Sequence, residues 1–298
     1  MKRIKSDGRE VRAVRLVGVV RNGTSQVEVA DLAANGASLT VIATLEEFWR
    51  QPGELIADRA AGEVIASEQV TLVPPVLPGA RVICIGLNYL KHAAEGSYRS
   101  EPLPKHPSLF ARWTASLTVG GTEIPVPANE DGLDWEGEVM AWVGATLVDA
   151  TPDHALAAVV GYSTFNDITA RKAQKLTSQW TLGKNADNSG PLGPMVPSAE
   201  VGDLRDGLNI TTRVNGQTVQ NASTDEMVYT VGDTLAHISH TFTVRPGDLL
   251  ATGTPSGVGY SRTPPWLLEP GDTVEVEVDH LGVLSNRIVS HRNRRLPG

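Results

Sequence analysis

A chain of 298 residues, 41% of them hydrophobic and 20% charged, can bury one large core plus a smaller appendage and has the make-up of a globular protein, not a disordered or fibrous one. Its 26 Lys and Arg against 34 Asp and Glu leave a net charge of −8, a sign that repels phosphate backbones and anionic headgroups and sets nucleic acid and membranes aside as partners. The one cysteine, Cys84, excludes an intrachain disulfide and a Cys-built metal site, and with no signal-peptide core and no apolar run of roughly 20 residues, a cytoplasmic location is expected.

Residues 1–72 read as a small N-terminal α/β domain. A strand pattern covers Val11–Val20, an Asn22-Gly23 turn follows, a second strand covers Gln26–Val29, and helical spacing runs from Thr40 to about Ile65. Val73-Pro74-Pro75-Val76-Leu77-Pro78-Gly79 concentrates breakers and marks the junction with a larger unit, residues 73–298. There Arg81–Ile85 reads as a strand feeding a short helix, Tyr89–Glu95, with Asn88 as its cap and Gly96 as its stop. From Ile124 the pattern is mostly strand and turn, interrupted by a helix at Pro152–Val159 that Thr151 caps. The expected class is α+β, mainly β.

The stretch Asp134-Trp135-Glu136-Gly137-Glu138 carries the chemistry. On a strand, residues two apart share a face, so its three carboxylates project together. A solvated edge strand is one reading. The apolar run Val139–Val143 favours the other, in which the strand enters the core and the carboxylates must share a proton or a cation. Asp167 ends a second apolar run, Val159–Asn166. Glu136, Glu138 and Asp167 would together offer an all-oxygen site for Mg²⁺, Mn²⁺ or Ca²⁺, with positions left open for water or substrate.

His92 and Glu95, three apart on the short helix, can form a hydrogen-bonded pair acting on water. Lys184 on its own reads as a solvated lysine, His237 and His240 as a helix surface, and Cys84 as a buried small hydrophobe. No Walker loop, dinucleotide fingerprint or serine elbow is present.

Several motifs in order, Ile85-Gly86-Leu87-Asn88-Tyr89 with His92 and Glu95, Asp134-Trp135-Glu136-Gly137-Glu138, Asn166-Asp167 with Ala170-Arg171, Gly183-Lys184, Pro246-Gly247-Asp248 and Thr252–Gly259, resemble the fumarylacetoacetate hydrolase family over roughly residues 78–290. The resemblance implies a mixed β-sandwich roll, a homodimer, and Mg²⁺ or Mn²⁺ held by Glu136, Glu138 and Asp167. It implies a 2-oxo or β-diketo acid substrate, His92 and Glu95 as the water-activating pair, Lys184 as a stabiliser of negative charge, and Arg171, Gln174 and Thr254 as substrate contacts.

The expected activity is hydrolysis of a carbon–carbon bond in an acylpyruvate. The alternatives are an isomerase, decarboxylase or hydratase of an unsaturated 2-oxo diacid in aromatic catabolism and, more remotely, a catalytically silent binding protein. Lys172, Arg112 and the Asn185–Gly190 loop depart from the family's usual residues and fall on the substrate side.

Overall fold

The computed structural model describes residues 2–4 and 10–12 at the level of backbone, and residues 14–59, 62–95 and 105–291 in full. Gly96, the expected helix stop, lies outside the described residues.

Strands Leu16–Arg21, Val27–Leu32, Ser38–Thr44, Val64–Ala66 and Val70–Val73 form a five-stranded N-terminal sheet. The helical spacing expected from Thr40 is not what forms. Ser38–Thr44 is a strand rich in β-branched residues, with Leu39 and Val41 buried on alternate positions. The helix begins only at Leu45, where Thr44 and Glu47 make a reciprocal capping box, and a second helix covers Pro52–Asp58. The second strand likewise runs Val27–Leu32, not Gln26–Val29.

The larger part of the chain is mainly β and is built on two further sheets. The elements that position the site are β1 (Val82–Gly86), α1 (Leu90–Ala93), β2 (Gly137–Val143), β3 (Val159–Asn166), α2 (Arg171–Gln174), α3 (Thr181–Lys184) and β4 (Leu249–Ala251). An eight-stranded mixed sheet carries β3, β2, β4 and β1 side by side, flanked by Leu117–Val119 and Gly190–Leu192 beyond β3 and by Ser108–Arg112 beyond β1. A five-stranded sheet made of Ile124–Val126, Gly282–Ser290, Thr273–Val278, Asn209–Val214 and Gln217–Ser223 packs against it.

Both faces of β2 are buried, which explains its continuous apolar sequence. Val139, Ala141 and Val143 enter one core with Ile210 and Val276 of the second sheet. Met140 and Trp142 enter another, shared with Leu16, Phe48 and Trp49 of the N-terminal unit. Trp49 stacks on Trp142 with ring centroids 5.7 Å apart, so the N-terminal sheet braces the back of the strand that carries the carboxylates. Among the described residues no helix is long and apolar enough to cross a membrane.

Candidate active site

The sheet register gathers the site. In the antiparallel pair β2–β3, Gly137 lies opposite Asn166, which sets Asp167 beside Glu136, and the Asp167 N–H donates to the Glu136 carbonyl at 2.8 Å. Met140 lies opposite Ala251 of β4, so the chain leaving β4 reaches Glu138, whose carboxylate accepts the Gly253 N–H at 2.9 Å. Ala251 in turn pairs with Cys84 in the parallel ladder β4–β1, and β1 leads out of the same end of the sheet toward His92. Gly253 is required here. Its φ is +87°, and a Cβ would stand 2.8 Å from the Asn88 side chain.

Asn88 does not cap the helix that follows. It is fully buried, donating to the carbonyls of Tyr229 and Thr252 and accepting the Tyr229 N–H, so it ties three loops together beneath the site. The helix is the single turn α1, with Tyr89 at its start and no side-chain cap. The helix predicted at Pro152–Val159 does form and is capped by Thr151, but it ends at Ala157 and hands Val159 to β3.

Glu136, Glu138 and Asp167 are all buried, and ligand oxygens of the three lie within 4.8 Å of one another. The solvated-face reading is therefore overturned. So is the solvated reading of Lys184, which is 2% exposed and donates at 2.6 Å to both Glu136 Oε2 and Asp167 Oδ2. Arg171 donates to Glu136 Oε1 at 2.6 Å and to Asp134 Oδ2 at 2.8 Å, while its Nη1 holds Gln174 Oε1 at 3.0 Å. Arg112, buried, is hydrogen-bonded to the far side of Asp167 and braced by Ser189 Oγ at 2.9 Å and the Ile168 carbonyl at 2.6 Å.

The charges do not balance. Asp134, Glu136, Glu138 and Asp167 face Arg171, Lys184 and Arg112, and the carboxylate left without a cation is Glu138. Burial would push the Glu136 carboxyl up, but the Lys184 and Arg171 charges outweigh it and hold it at about 2. Glu138 goes the other way, pushed well above the carboxylate range by burial and by the adjacent Asp167 and Glu136. For Lys184, burial favours the neutral amine, yet Asp167 and Glu136 prevail and keep the ammonium. One surplus buried negative charge in an all-oxygen cluster fits a hard divalent cation, which can take the place of the proton on Glu138.

A cavity of about 590 Å³ opens onto this cluster. Eight of the nine residues singled out in the sequence line it: His92, Glu95, Glu136, Glu138, Arg171, Gln174, Lys184 and Thr254. Asp167 is not part of the wall. His92 Nδ1 lies 3.1 Å from Glu95 Oε2, and Glu95 Oε1 accepts the Gly257 N–H at 2.8 Å, so the pair is fixed from behind. Thr254 lines the cavity with its hydroxyl already engaged, donating to the Gly137 carbonyl and accepting from Gln220.

Three supporting residues escape the sequence reading. Arg112 stands out there only as a departure from the family, and Asp134 only as one member of an acidic motif. The structure makes Asp134 a buried hub that accepts N–H groups of Trp135, Gly259 and Tyr260 besides Arg171. Arg262 lies over the rings of both Trp135 and Trp266, 5.4 Å from each centroid, and donates to the Gly257 carbonyl that follows the Glu95 contact.

An acidic cluster able to hold a cation stands beside a His–carboxylate pair in one cavity, and the comparisons with known proteins give the class of protein that carries it. The chain belongs to the fumarylacetoacetate hydrolase family: the model described as fumarylacetoacetate (FAA) hydrolase C-terminal matches residues 81–289. Among curated relatives, the human mitochondrial oxaloacetate tautomerase FAHD2A is 36% identical over 264 residues, covering 86% of this chain and 82% of its own length. Among solved structures, the fumarylacetoacetate hydrolase of Exiguobacterium antarcticum superposes with a TM-score of 0.78 at 31% identity, over 93% of this chain and 100% of that one. The fumarylpyruvate hydrolase of Pseudomonas aeruginosa, solved in complex with Mn²⁺ and pyruvate, gives 0.64 at 31% identity, over 74% of this chain and 92% of its own.

Proposed function

We propose that this chain is a divalent-cation-dependent enzyme that enolises a 2-oxo acid, with keto–enol tautomerisation of an oxaloacetate-like substrate as its outcome. The observation that carries the reading is the single cavity in which His92 and Glu95 share the wall with Glu136, Glu138 and Lys184. A Mg²⁺ or Mn²⁺ held by Glu136, Glu138 and Asp167 would polarise the keto group and lower the cost of negative charge on its oxygen. His92, steadied by Glu95, takes the proton from the carbon beside the keto group as the enol forms and returns one there in the reverse direction, while the oxygen gains its proton in the enol and gives it up in the keto form. Lys184 and Arg171 keep Glu136 ionised, and Arg171 with the free amide of Gln174 offers donors to the substrate's carboxylate end.

Tautomerisation stands first because the oxaloacetate tautomerases match this chain at 35–37% identity. Hydrolysis of an acylpyruvate is the second reading, and the Glu95–Gly257 contact favours it. A His–Glu pair anchored by a backbone N–H can hold a water as well as move a proton. Two assays on one preparation separate them: conversion of enol-oxaloacetate to the keto form, followed by loss of enol absorbance, and release of pyruvate from a panel of acylpyruvates. Each is run with Mg²⁺, with Mn²⁺ and with EDTA, on wild type and on Glu138→Ala. Cation-dependent tautomerisation without pyruvate release supports the first reading, pyruvate release the second, and inertness in both assays removes the proposal.

A further inference from the structure

Among the described residues, the basic side chains of the cavity wall are paired with carboxylates, with one exception. His92 is paired with Glu95, Arg171 with Asp134 and Glu136, and Lys184 with Glu136 and Asp167. Lys175 lines the same cavity, and among the described residues it has no carboxylate partner. Other exposed lysines behave differently, since Lys172 is bound to Asp131 and Lys91 to Glu226 at the surface. The Lys175 ammonium instead lies 3.5 Å from the centroid of the Tyr260 ring. Both residues are solvent-exposed while lining the cavity, which places them at its rim.

This rim pair is anchored to the centre of the site. Lys175 directly follows α2, whose Arg171 is locked to Asp134 and Glu136, and the Tyr260 N–H donates to the same Asp134 at 3.1 Å. One buried carboxylate therefore fixes both the helix that presents the ammonium and the backbone that presents the ring. The hydroxyls nearby on the wall are spent on local turns, Thr177 on the Gln179 carbonyl and Ser261 on the Val258 carbonyl. What remains at the rim is an unmatched positive charge above a floor that takes the 2-oxo acid end of a substrate.

We propose that Lys175, steadied over Tyr260, receives a second anionic group at the far end of the substrate, so that the site prefers dicarboxylic to monocarboxylic 2-oxo acids. The inference rests on the 2-oxo acid reading, whose oxaloacetate-like substrate carries a second carboxylate, and adds to it the residue that receives that carboxylate. Because the pair is solvent-exposed its contribution is modest, about fivefold in affinity, and it shrinks as salt is raised.

The test is calorimetric binding to the Mg²⁺-loaded protein of oxalate, of 2-oxo monoacids and of 2-oxo diacids of increasing length. Wild type is compared with Lys175→Met and Lys175→Arg. Expected is a preference of about fivefold for the diacid whose length spans floor to rim, lost in Lys175→Met, largely kept in Lys175→Arg and reduced at high salt, with oxalate affinity the same in all three. Oxalate has no far end and reports on the floor alone. If oxalate binds but no diacid is preferred at any length, or if the preference survives Lys175→Met, the inference is overturned while the 2-oxo acid reading stands. If neither oxalate nor any 2-oxo acid binds, the reading falls and the inference with it.

Discussion

The acidic cluster and the His92–Glu95 pair share one cavity but are held in different ways. Each carboxylate of the cluster sits at the end of a largely buried strand or just beyond it, and two of the three are pinned by buried cations from other elements. The pair rides on a one-turn helix without a side-chain cap, half-buried, and is steadied from outside by one backbone N–H. The contrast teaches which residues carry both fold and function and which carry function alone. Buried charges that compensate one another cannot be removed singly without stranding a partner, whereas a half-exposed pair can be removed with little cost to folding.

The sharpest way to break that contrast is Arg112→Met, which leaves Asp167 facing Lys184 alone and strands the Ser189 and Ile168 contacts. A loss of about 3–5 kcal/mol in denaturant unfolding is expected, and a loss below about 1 kcal/mol would deny Arg112 its bracing role. His92→Ala is the opposite case. Turnover is expected to fall by about 10²–10⁴ while stability stays within about 0.5 kcal/mol, read by steady-state rates beside thermal melts of the same sample.

Gly257→Ala lies between these extremes. Its φ is +105° and a Cβ would meet the Val219 carbonyl oxygen at 2.3 Å, so the loop that holds Glu95 must shift. A cost of about 1–3 kcal/mol together with a lower kcat is expected, and an unchanged kcat would cut the link between loop and pair.

Glu138→Gln acts through the pH dependence of stability. Burial and like charges raise the folded-state pKa of Glu138 above its unfolded value. The stability it contributes is therefore present at low pH and lost as pH climbs through that folded value. Without a divalent cation, the wild type should lose stability relative to Glu138→Gln as pH rises above the ordinary carboxylate range. A cation must displace the proton, so its stabilising effect on the wild type should grow over the same interval. Thermal melts across pH, with EDTA and with Mg²⁺, check both signs, and parallel curves for the two proteins would contradict the assignment.

Much of this site was legible from sequence because it gathers at the ends of buried strands. The apolar run Val139–Val143 after Asp134, Glu136 and Glu138 places these carboxylates where a strand enters the core, and all three are buried there, but only Glu138 lies on that strand, which begins at Gly137, so the expected single strand face does not form. Long-range partners were not legible. Nothing local to Lys184 says that it is buried, since its environment is made by Glu136 and Asp167, 48 and 17 residues away in the chain. Arg112 binds Asp167 across 55 residues, and Asn88 abandons the local cap for carbonyls more than 140 residues distant. The Thr40–Thr44 segment failed for a different reason: its hydrophobic spacing fitted a helix, but its β-branched residues pair with Val27–Leu32, and the cap at Thr44 starts the helix only afterwards.

The central claim, that this cavity enolises a 2-oxo acid with the help of a cation held by Glu136, Glu138 and Asp167, is tested most directly by hydrogen exchange. 2-Oxobutanoate is incubated with the protein in deuterated water, with Mg²⁺ or with EDTA, and deuterium entry at the carbon beside the keto group is followed by NMR. This readout is independent of whether tautomerisation or bond cleavage is the physiological outcome. Exchange that requires Mg²⁺, is lost in Glu138→Ala and falls steeply in His92→Ala is the predicted result. Exchange no faster than in protein-free buffer, or equal in wild type and Glu138→Ala, would contradict it.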